Sequence, residues 1–75
     1  MSGPEDLVVD GRGLEPPEPM ELVLAALENL RPNQRVRFLI HRQPYPLYDI
    51  LRRHRFRYEI AALPDGEFEI LISGP

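Results

Sequence analysis

Two residues that follow apolar segments are the first candidates for chemistry in this sequence. His41 ends one apolar segment, and Asp10 ends another. A histidine can act as a general base, a metal ligand or a pH-sensitive contact. The simpler interpretation is that His41 hydrogen-bonds to a neighbouring backbone group, to Asp10 or to Tyr48 and so fixes a loop. The choice depends on what the fold brings close to His41.

The apolar patterns predict the elements that position these residues. Four strands are predicted, over Leu7–Asp10, Arg35–His41, Arg55–Ala62 and Glu67–Ser73, with a hairpin loop at Leu63–Gly66. Apolar stripes with helical spacing predict one helix over about residues 17–30 and a second from Pro44 to His54. The order β-α-β-α-β-β predicts the α+β class: a two-layer α/β sandwich with a four-stranded mixed sheet and two helices on one face.

This topology predicts a ligand site at one edge of the sheet. If the first two strands are parallel, Asp10 and His41 share the edge at which open α/β sheets bind ligands. The candidate ligand-binding residues at this edge are Asp10, Arg12, Glu15, Glu18, His41, Arg42 and Tyr48. We expect Asp10 and Arg12 to form a local ion pair that shapes the Gly-Arg-Gly turn.

Prolines at both predicted helix starts bear on how that edge could bind an anion. Pro16, Pro17 and Pro19 precede or begin the first helix, and Pro44 and Pro46 begin the second. Because proline has no N–H group, these helix starts lack donors, and we do not expect a phosphate site there. The prolines are expected to stiffen the helix entries instead.

Basic residues are concentrated between Arg31 and Arg57, and all of them are arginine. The candidates for nucleic-acid contact are Arg52, Arg53, Arg55 and Arg57, with Phe56 and Tyr58 between them. That pattern is compatible with single-stranded nucleic acid. The net charge of −3 and an alternation that turns Phe56 and Tyr58 inward favour a solvated helix end instead. His54, at the end of an apolar stripe, is predicted to be partly buried.

Length and composition exclude several classes of function. The 75 residues predict a single domain with a core over about residues 7–73 and disorder over residues 1–5. No cysteine is present, which excludes disulfides, thiolate metal sites and thiol catalysis and fits a reducing cytosol. The acidic N-terminus does not resemble a signal peptide, no apolar run is long enough to span a membrane, and we predict a cytoplasmic, bacterial-type protein.

The segment Asp10–Pro19 resembles the signature of the TusA/SirA family, which is Asp-x-x-Gly-Leu-x-Cys-Pro-x-Pro before a helix. The marked positions are occupied by Asp10, Gly13, Leu14, Pro17 and Pro19. Members of that family relay sulfur as a persulfide on the cysteine, and here that position is Pro16. The resemblance therefore implies the TusA/SirA-like fold without the sulfur-carrier activity.

The chain is more similar still to a Cys-less, uncharacterised branch of TusA-like domains. Two motifs carry this similarity, Arg-Gly-Leu-x-Pro-Pro-x-Pro at Arg12–Pro19 and His-x-x-Pro-x-Pro-Leu-Tyr at His41–Tyr48. Such domains are often encoded beside or fused to hemerythrin-like domains. The resemblance thus implies a hemerythrin-like or sulfur- or redox-linked protein partner.

Three functions remain open from the sequence. The favoured one is a non-catalytic interaction or small-ligand-binding module with no catalytic residue and no cofactor. The second is a redox- or metal-linked binding protein that uses His41 with Asp10, although no histidine–carboxylate pair at helical spacing supports a metal site. The third is an RNA-binding module that uses Arg52–Arg57. We expect neither nucleic acid nor a membrane as partner, and both a monomer and a homodimer fit the sequence.

Overall fold

A computed structural model of the protein describes residues 5–75, and it has the predicted α+β fold. The elements are β1 (Glu5–Asp10), α1 (Glu18–Glu28), β2 (Gln34–Ile40), α2 (Tyr45–Arg53), β3 (Arg57–Ala62) and β4 (Phe68–Ser73). The prediction of disorder at residues 1–5 lies outside the described residues, except that the backbone of Glu5 begins β1. None of the helices in residues 5–75 is long and apolar enough to cross a membrane.

The sheet has the strand order β1-β2-β4-β3. Strands β1 and β2 are parallel, and the other two pairings are antiparallel. Asp10, the last residue of β1, is in register with Leu39 near the end of β2. The carboxyl ends of the two parallel strands therefore meet at one edge, next to the starts of both helices.

Alternation along the strands places the core on the face that the helices cover. Val36, Phe38 and Ile40 of β2 are buried there, and Val36 and Phe38 are in register with Ile72 and Ile70 of β4. The helices complete the core with Val23, Leu27, Leu47, Tyr48 and Leu51. Because each such side chain contributes roughly 1.5–3 kcal/mol when buried, this cluster holds the domain together.

The opposite sheet face carries charged side chains that pair across strands. We call Asp6, Arg35, Arg37 and Glu69 the ionic face. Asp6 accepts from Arg35 at 2.9 Å and from Arg37 at 2.8 Å, and Arg37 also donates to Glu69 at 2.7 Å. These pairs form because alternation turns the residues between the core positions outward on neighbouring strands.

Two predictions fail at the end of α2. Arg55 was predicted to begin the third strand, but its φ of 65° is left-handed, so β3 begins at Arg57. The N–H groups of Phe56 and Arg55 donate to the carbonyls of Leu51 and Arg52 at 2.9 and 3.1 Å, which is a Schellman motif. His54 is the C-cap and is exposed, so the prediction that it is partly buried is wrong.

Candidate functional site

An open apolar pocket of about 150 Å³ lies at the carboxyl ends of β1 and β2. We call it the entrance pocket, because the entries to both helices form its walls. It is lined by Leu14, Pro16, Pro17, Pro19, Met20, Phe38, Ile40, His41, Arg42, Gln43 and Pro44. The predicted location of a site, at the edge shared by the parallel strands, thus coincides with a real concavity.

Three chain segments build the apolar wall of the entrance pocket. Strand β2 contributes Phe38 and Ile40, since alternation turns both toward the helices. Helix α1 contributes Pro19 and Met20 from its first turn, and the loop before it contributes further apolar side chains. Because prolines form so much of this wall, its shape is set by rigid rings with fixed φ angles.

Gly11 supports the pocket from behind. Its N–H donates to the carbonyl of Leu39 at 2.7 Å, which continues the pairing of β1 with β2 by one residue. A Cβ atom at this position would lie 3.0 Å from Phe38 Cε1, 3.0 Å from Pro19 Cβ and 3.2 Å from Ile40 Cδ1. All three neighbours line the pocket, so a Cβ atom here would have to push the wall outward by a few tenths of an ångström.

The mouth of the pocket carries polar side chains from the loop after β2. His41 and Arg42 are exposed, and neither side chain forms a hydrogen bond or an ion pair with any of residues 5–75. Gln43 is half-buried, and its Oε1 accepts a hydrogen bond from the hydroxyl of Tyr48 at 2.7 Å. The amide N–H groups of Gln43 therefore remain as donors at the mouth.

Tyr48 lies beneath the mouth, although it was predicted to face a ligand. Its side chain is buried and stacks on Tyr58, with ring centroids 5.2 Å apart and planes 2° apart. Tyr45 meets it edge-on at 5.9 Å. Burial raises the pKa of Tyr48, and its hydroxyl donates to Gln43. Tyr48 is thus a positioning residue for Gln43.

Asp10 and Arg12 form the predicted local ion pair and face away from the pocket wall. The Arg12 guanidinium donates to both carboxylate oxygens of Asp10 at 2.9 Å, and the Arg12 backbone N–H donates at 3.0 Å. Arg12 also reaches Glu67 at 3.2 Å. Hydrogen bonds from the Arg12 side chain and backbone lower the pKa of Asp10 to about 2.

His41 has neither of its predicted side-chain partners. Asp10 is held by Arg12, and Tyr48 donates to Gln43. The prediction that a hydrogen bond to Asp10, to Tyr48 or to nearby backbone fixes His41 is therefore wrong. Within residues 5–75, no three His, Cys, Asp or Glu side chains are grouped closely enough to hold a metal ion.

The two acidic candidates lie beside the pocket and do not line it. Glu15 and Glu18 are exposed. The backbone N–H of Glu18 donates to the Glu15 carbonyl at 3.0 Å, and the N–H of Leu47 donates to Pro44 at 2.9 Å. These bonds use two of the backbone donors that the prolines leave at the helix starts.

The four arginines proposed for nucleic acid do not share one surface. Arg52 pairs with Asp49 and donates to the Tyr58 hydroxyl at 2.8 Å. Arg57 alternates with the inward-facing Tyr58, so it lies on the opposite side of the sheet from α2. Phe56 and Tyr58 pack against the core, as predicted, and are not presented to stack on bases.

Sequence reasoning missed the apolar part of the site. Charged and aromatic side chains were taken as candidates, yet Leu14, Met20, Phe38 and Ile40 form the wall. Gln43 and Gly11 were also missed. Two signals in the sequence could have indicated this site. One is a glycine directly after a predicted strand, and the other is an apolar residue within each proline-rich helix entry.

Comparison with known proteins gives one match. Residues 8–73 match the model of a family described as "Uncharacterized conserved protein (DUF2249)". No curated protein and no solved structure matches the chain. The family description carries no activity, so the function must be argued from the site itself.

Proposed function

The chain belongs to the DUF2249 family, and we propose that it is a non-catalytic module that binds a small ligand in the entrance pocket. The observation that carries this proposal is an apolar concavity with unpaired donors at its mouth, at the end of a parallel strand pair. Ligand sites of proteins are commonly apolar concavities with a few convergent polar groups. The edge is also the one at which open α/β sheets bind ligands.

The size of the pocket limits the ligand. Drug-sized molecules occupy pockets of roughly 300–1,000 Å³. The entrance pocket has about 150 Å³, and an engineered apolar cavity of about that volume in another protein holds benzene. A single ring or a short branched chain therefore fits.

Binding is favoured over catalysis because no acid–base pair is assembled at the pocket. A catalytic histidine is usually oriented by a second group within hydrogen-bond reach. His41 has no such partner among residues 5–75, and its predicted acidic partner, Asp10, is held by Arg12. The alternative that uses His41 with Asp10 thus lacks its central contact, and the RNA alternative lacks a common surface for its arginines.

The proposal also includes a family relationship, a protein partner and a cellular location. We include a relationship to the Cys-less branch of the TusA/SirA-like family, supported by the motifs at Arg12–Pro19 and His41–Tyr48 and by the β-α-β-α-β-β order. Pro16, at the position of the carrier cysteine, lines the pocket. A hemerythrin-like or redox-linked partner and a cytoplasmic location follow from that resemblance and from composition.

Titration with a neutral apolar probe tests the proposal. Benzyl alcohol added to isotopically labelled protein should shift the methyl signals of Met20 and Ile40 in NMR spectra, saturably and at millimolar concentrations. Met20→Trp, which fills the pocket, should weaken binding about tenfold or more. Leu22→Trp is the matched control, because Leu22 is an exposed residue of the same helix outside the pocket.

Three outcomes of that titration would contradict the proposal. The first is the absence of saturable shifts in the wild-type protein. The second is equal binding by Met20→Trp and Leu22→Trp, with both variants shown to be folded by circular dichroism. The third is a set of shifts centred on another surface, such as the ionic face.

A further inference from the structure

We infer that the ligand of the entrance pocket is a small carboxylic acid with an apolar body, whose carboxylate is held by Arg42. The apolar body, a single ring or a short branched chain, would sit against Phe38 and Ile40. This inference rests on the proposed function, since it names the ligand class for the same pocket.

The two titratable residues that line the pocket, His41 and Arg42, both carry N–H donors. No acidic residue among those that the structure describes lines the pocket. The Asp10 carboxylate is engaged by Arg12, and the exposed Glu15 and Glu18 lie beside the pocket without lining it. A ligand at the mouth therefore meets donors, and no carboxylate, among the described side chains that line the pocket, which favours an anionic group over a cationic one.

Arg42 differs from the arginines that have structural roles. Arg12, Arg35, Arg37 and Arg52 each hold a carboxylate of the protein. Arg42 holds none within residues 5–75, and neither do Arg31, Arg53, Arg55 and Arg57, but of these five exposed arginines only Arg42 lines the pocket. A guanidinium presents a planar pair of donors that matches a carboxylate in a bidentate arrangement.

The donor set matches a carboxylate better than a phosphate. Phosphate sites commonly use several backbone N–H groups at a helix start. Here prolines remove several such donors, the N–H groups of Glu18 and Leu47 are bonded within the chain, and the N–H group of Met20 is left in the first turn of α1. The side-chain donors at the mouth are the Arg42 guanidinium and the amide N–H groups of Gln43, and these suit a group with two oxygens.

The apolar wall determines the rest of the ligand. Phe38 is 1% exposed and Ile40 is 5% exposed, so they form the base of the pocket, and the half-buried Leu14 and Met20 offer more apolar surface to a ligand. A single ring or a short branched chain can pack against these side chains. Aromatic and branched-chain carboxylates combine such a body with one anionic group.

Three probes with the same ring and different charges distinguish the charge preference of the pocket from the fit of the ring in it. Benzoate, benzyl alcohol and benzylamine are titrated into the full chain at low ionic strength and followed through the methyl signals of Met20 and Ile40. Benzoate should bind about two- to fivefold more tightly than benzyl alcohol, as expected for one partly exposed charge pair. Benzylamine should bind most weakly, and added salt should reduce the benzoate preference.

A pair of charge-matched variants assigns the preference to one side chain. Arg42→Gln should reduce benzoate binding to the level of benzyl alcohol binding measured in the same variant. Arg53→Gln removes the same charge from an exposed arginine outside the pocket and should leave the benzoate preference intact.

The results distinguish failure of the inference from failure of the proposed function. Saturable benzyl alcohol binding without a benzoate preference overturns the carboxylate class and leaves the pocket as a binding site. Preferred binding of benzylamine reverses the sign of the inferred ligand charge. A benzoate preference that survives in Arg42→Gln overturns the role of Arg42, and the absence of binding by any probe overturns both proposals.

Discussion

The entrance pocket and the ionic face use the same residue type in opposite ways. On the ionic face, Arg35 and Arg37 are paired with Asp6, and Arg37 also pairs with Glu69. At the pocket, Arg42 has no carboxylate partner within residues 5–75. The difference shows that an arginine of this sheet is paired where a neighbouring strand places a carboxylate next to it and is left unpaired where no such carboxylate is in reach.

The register of the sheet explains the paired region. Asp6 is directly opposite Arg35, and Arg37 lies between Asp6 and Glu69 on neighbouring strands. Hydrogen bonds from Arg37 and then Arg35 lower the pKa of Asp6. Arg42, in contrast, follows the end of β2, where the neighbouring wall is built from prolines and apolar side chains.

The largest expected effect on stability comes from adding a side chain at Gly11, directly behind the pocket wall. Gly11→Val should lower the free energy of unfolding by about 1–3 kcal/mol or more, because its side chain would press on Phe38, Pro19 and Ile40. Urea denaturation measures this change. Gly74→Val is the control, since a Cβ at Gly74 meets nothing within 4 Å. Equal stability of the two variants would show that the wall is not closely packed on Gly11.

A smaller effect of opposite sign is expected at an arginine that belongs to neither region. Arg55 has a φ of 65°, a conformation that favours glycine. Arg55→Gly should therefore raise the free energy of unfolding by about 0.5–1 kcal/mol. The variant should also bind benzoate like the wild-type protein, because Arg55 does not line the pocket. A loss of stability would contradict the Schellman assignment.

The paired and unpaired arginines should respond differently to the same substitution. Arg37→Gln leaves Asp6 and Glu69 with fewer partners and should cause a modest loss of stability that shrinks as salt is added. Arg42→Gln should leave stability unchanged in thermal melts at both low and high salt. A stability loss in Arg42→Gln that matches the loss in Arg37→Gln would remove the distinction between the two regions.

The smallest effect is a pH dependence at the turn between the regions. The pKa of Asp10 falls from 3.8 to about 2 in the folded protein, mainly through hydrogen bonds from Arg12. Because the folded-state pKa is the lower one, this contribution is present above about pH 4 and is lost as pH falls toward 2. Asp10→Asn should reduce the acid-induced loss of stability in this window, measured by urea denaturation at several pH values. An unchanged pH profile would contradict the ion pair.

The sequence predicted the fold because its patterns are local. Apolar residues at helical spacing, each set preceded by prolines, predicted both helices. Alternating apolar and polar residues predicted the strands. The end of α2 was misassigned because a Schellman motif at Arg55 lacks the usual glycine signal. Asp10 and Arg12 were paired correctly, since they are two residues apart.

The candidate site was predicted by position and only partly by residue. His41 and Arg42 lie at the pocket, as their place after β2 indicated. Tyr48 turned inward because α2 buries it against Tyr58, which is a long-range contact that periodicity does not specify. The apolar wall was missed because its residues also satisfy the pattern of an ordinary core.

Nuclear Overhauser effects between bound benzoate and the protein test the central claim most directly. Contacts from the benzoate ring protons to the methyl groups of Met20 and Ile40 are predicted, because both residues line the entrance pocket. A competing apolar surface lies on the sheet face opposite the helices, next to the ionic face. There Val8 of β1 is 62% exposed, and Val8 and Leu71 of β4 are both in register with Arg37. Contacts from benzoate to Val8 and Leu71 in place of Met20 and Ile40, or no intermolecular contacts at saturating benzoate, would contradict the account.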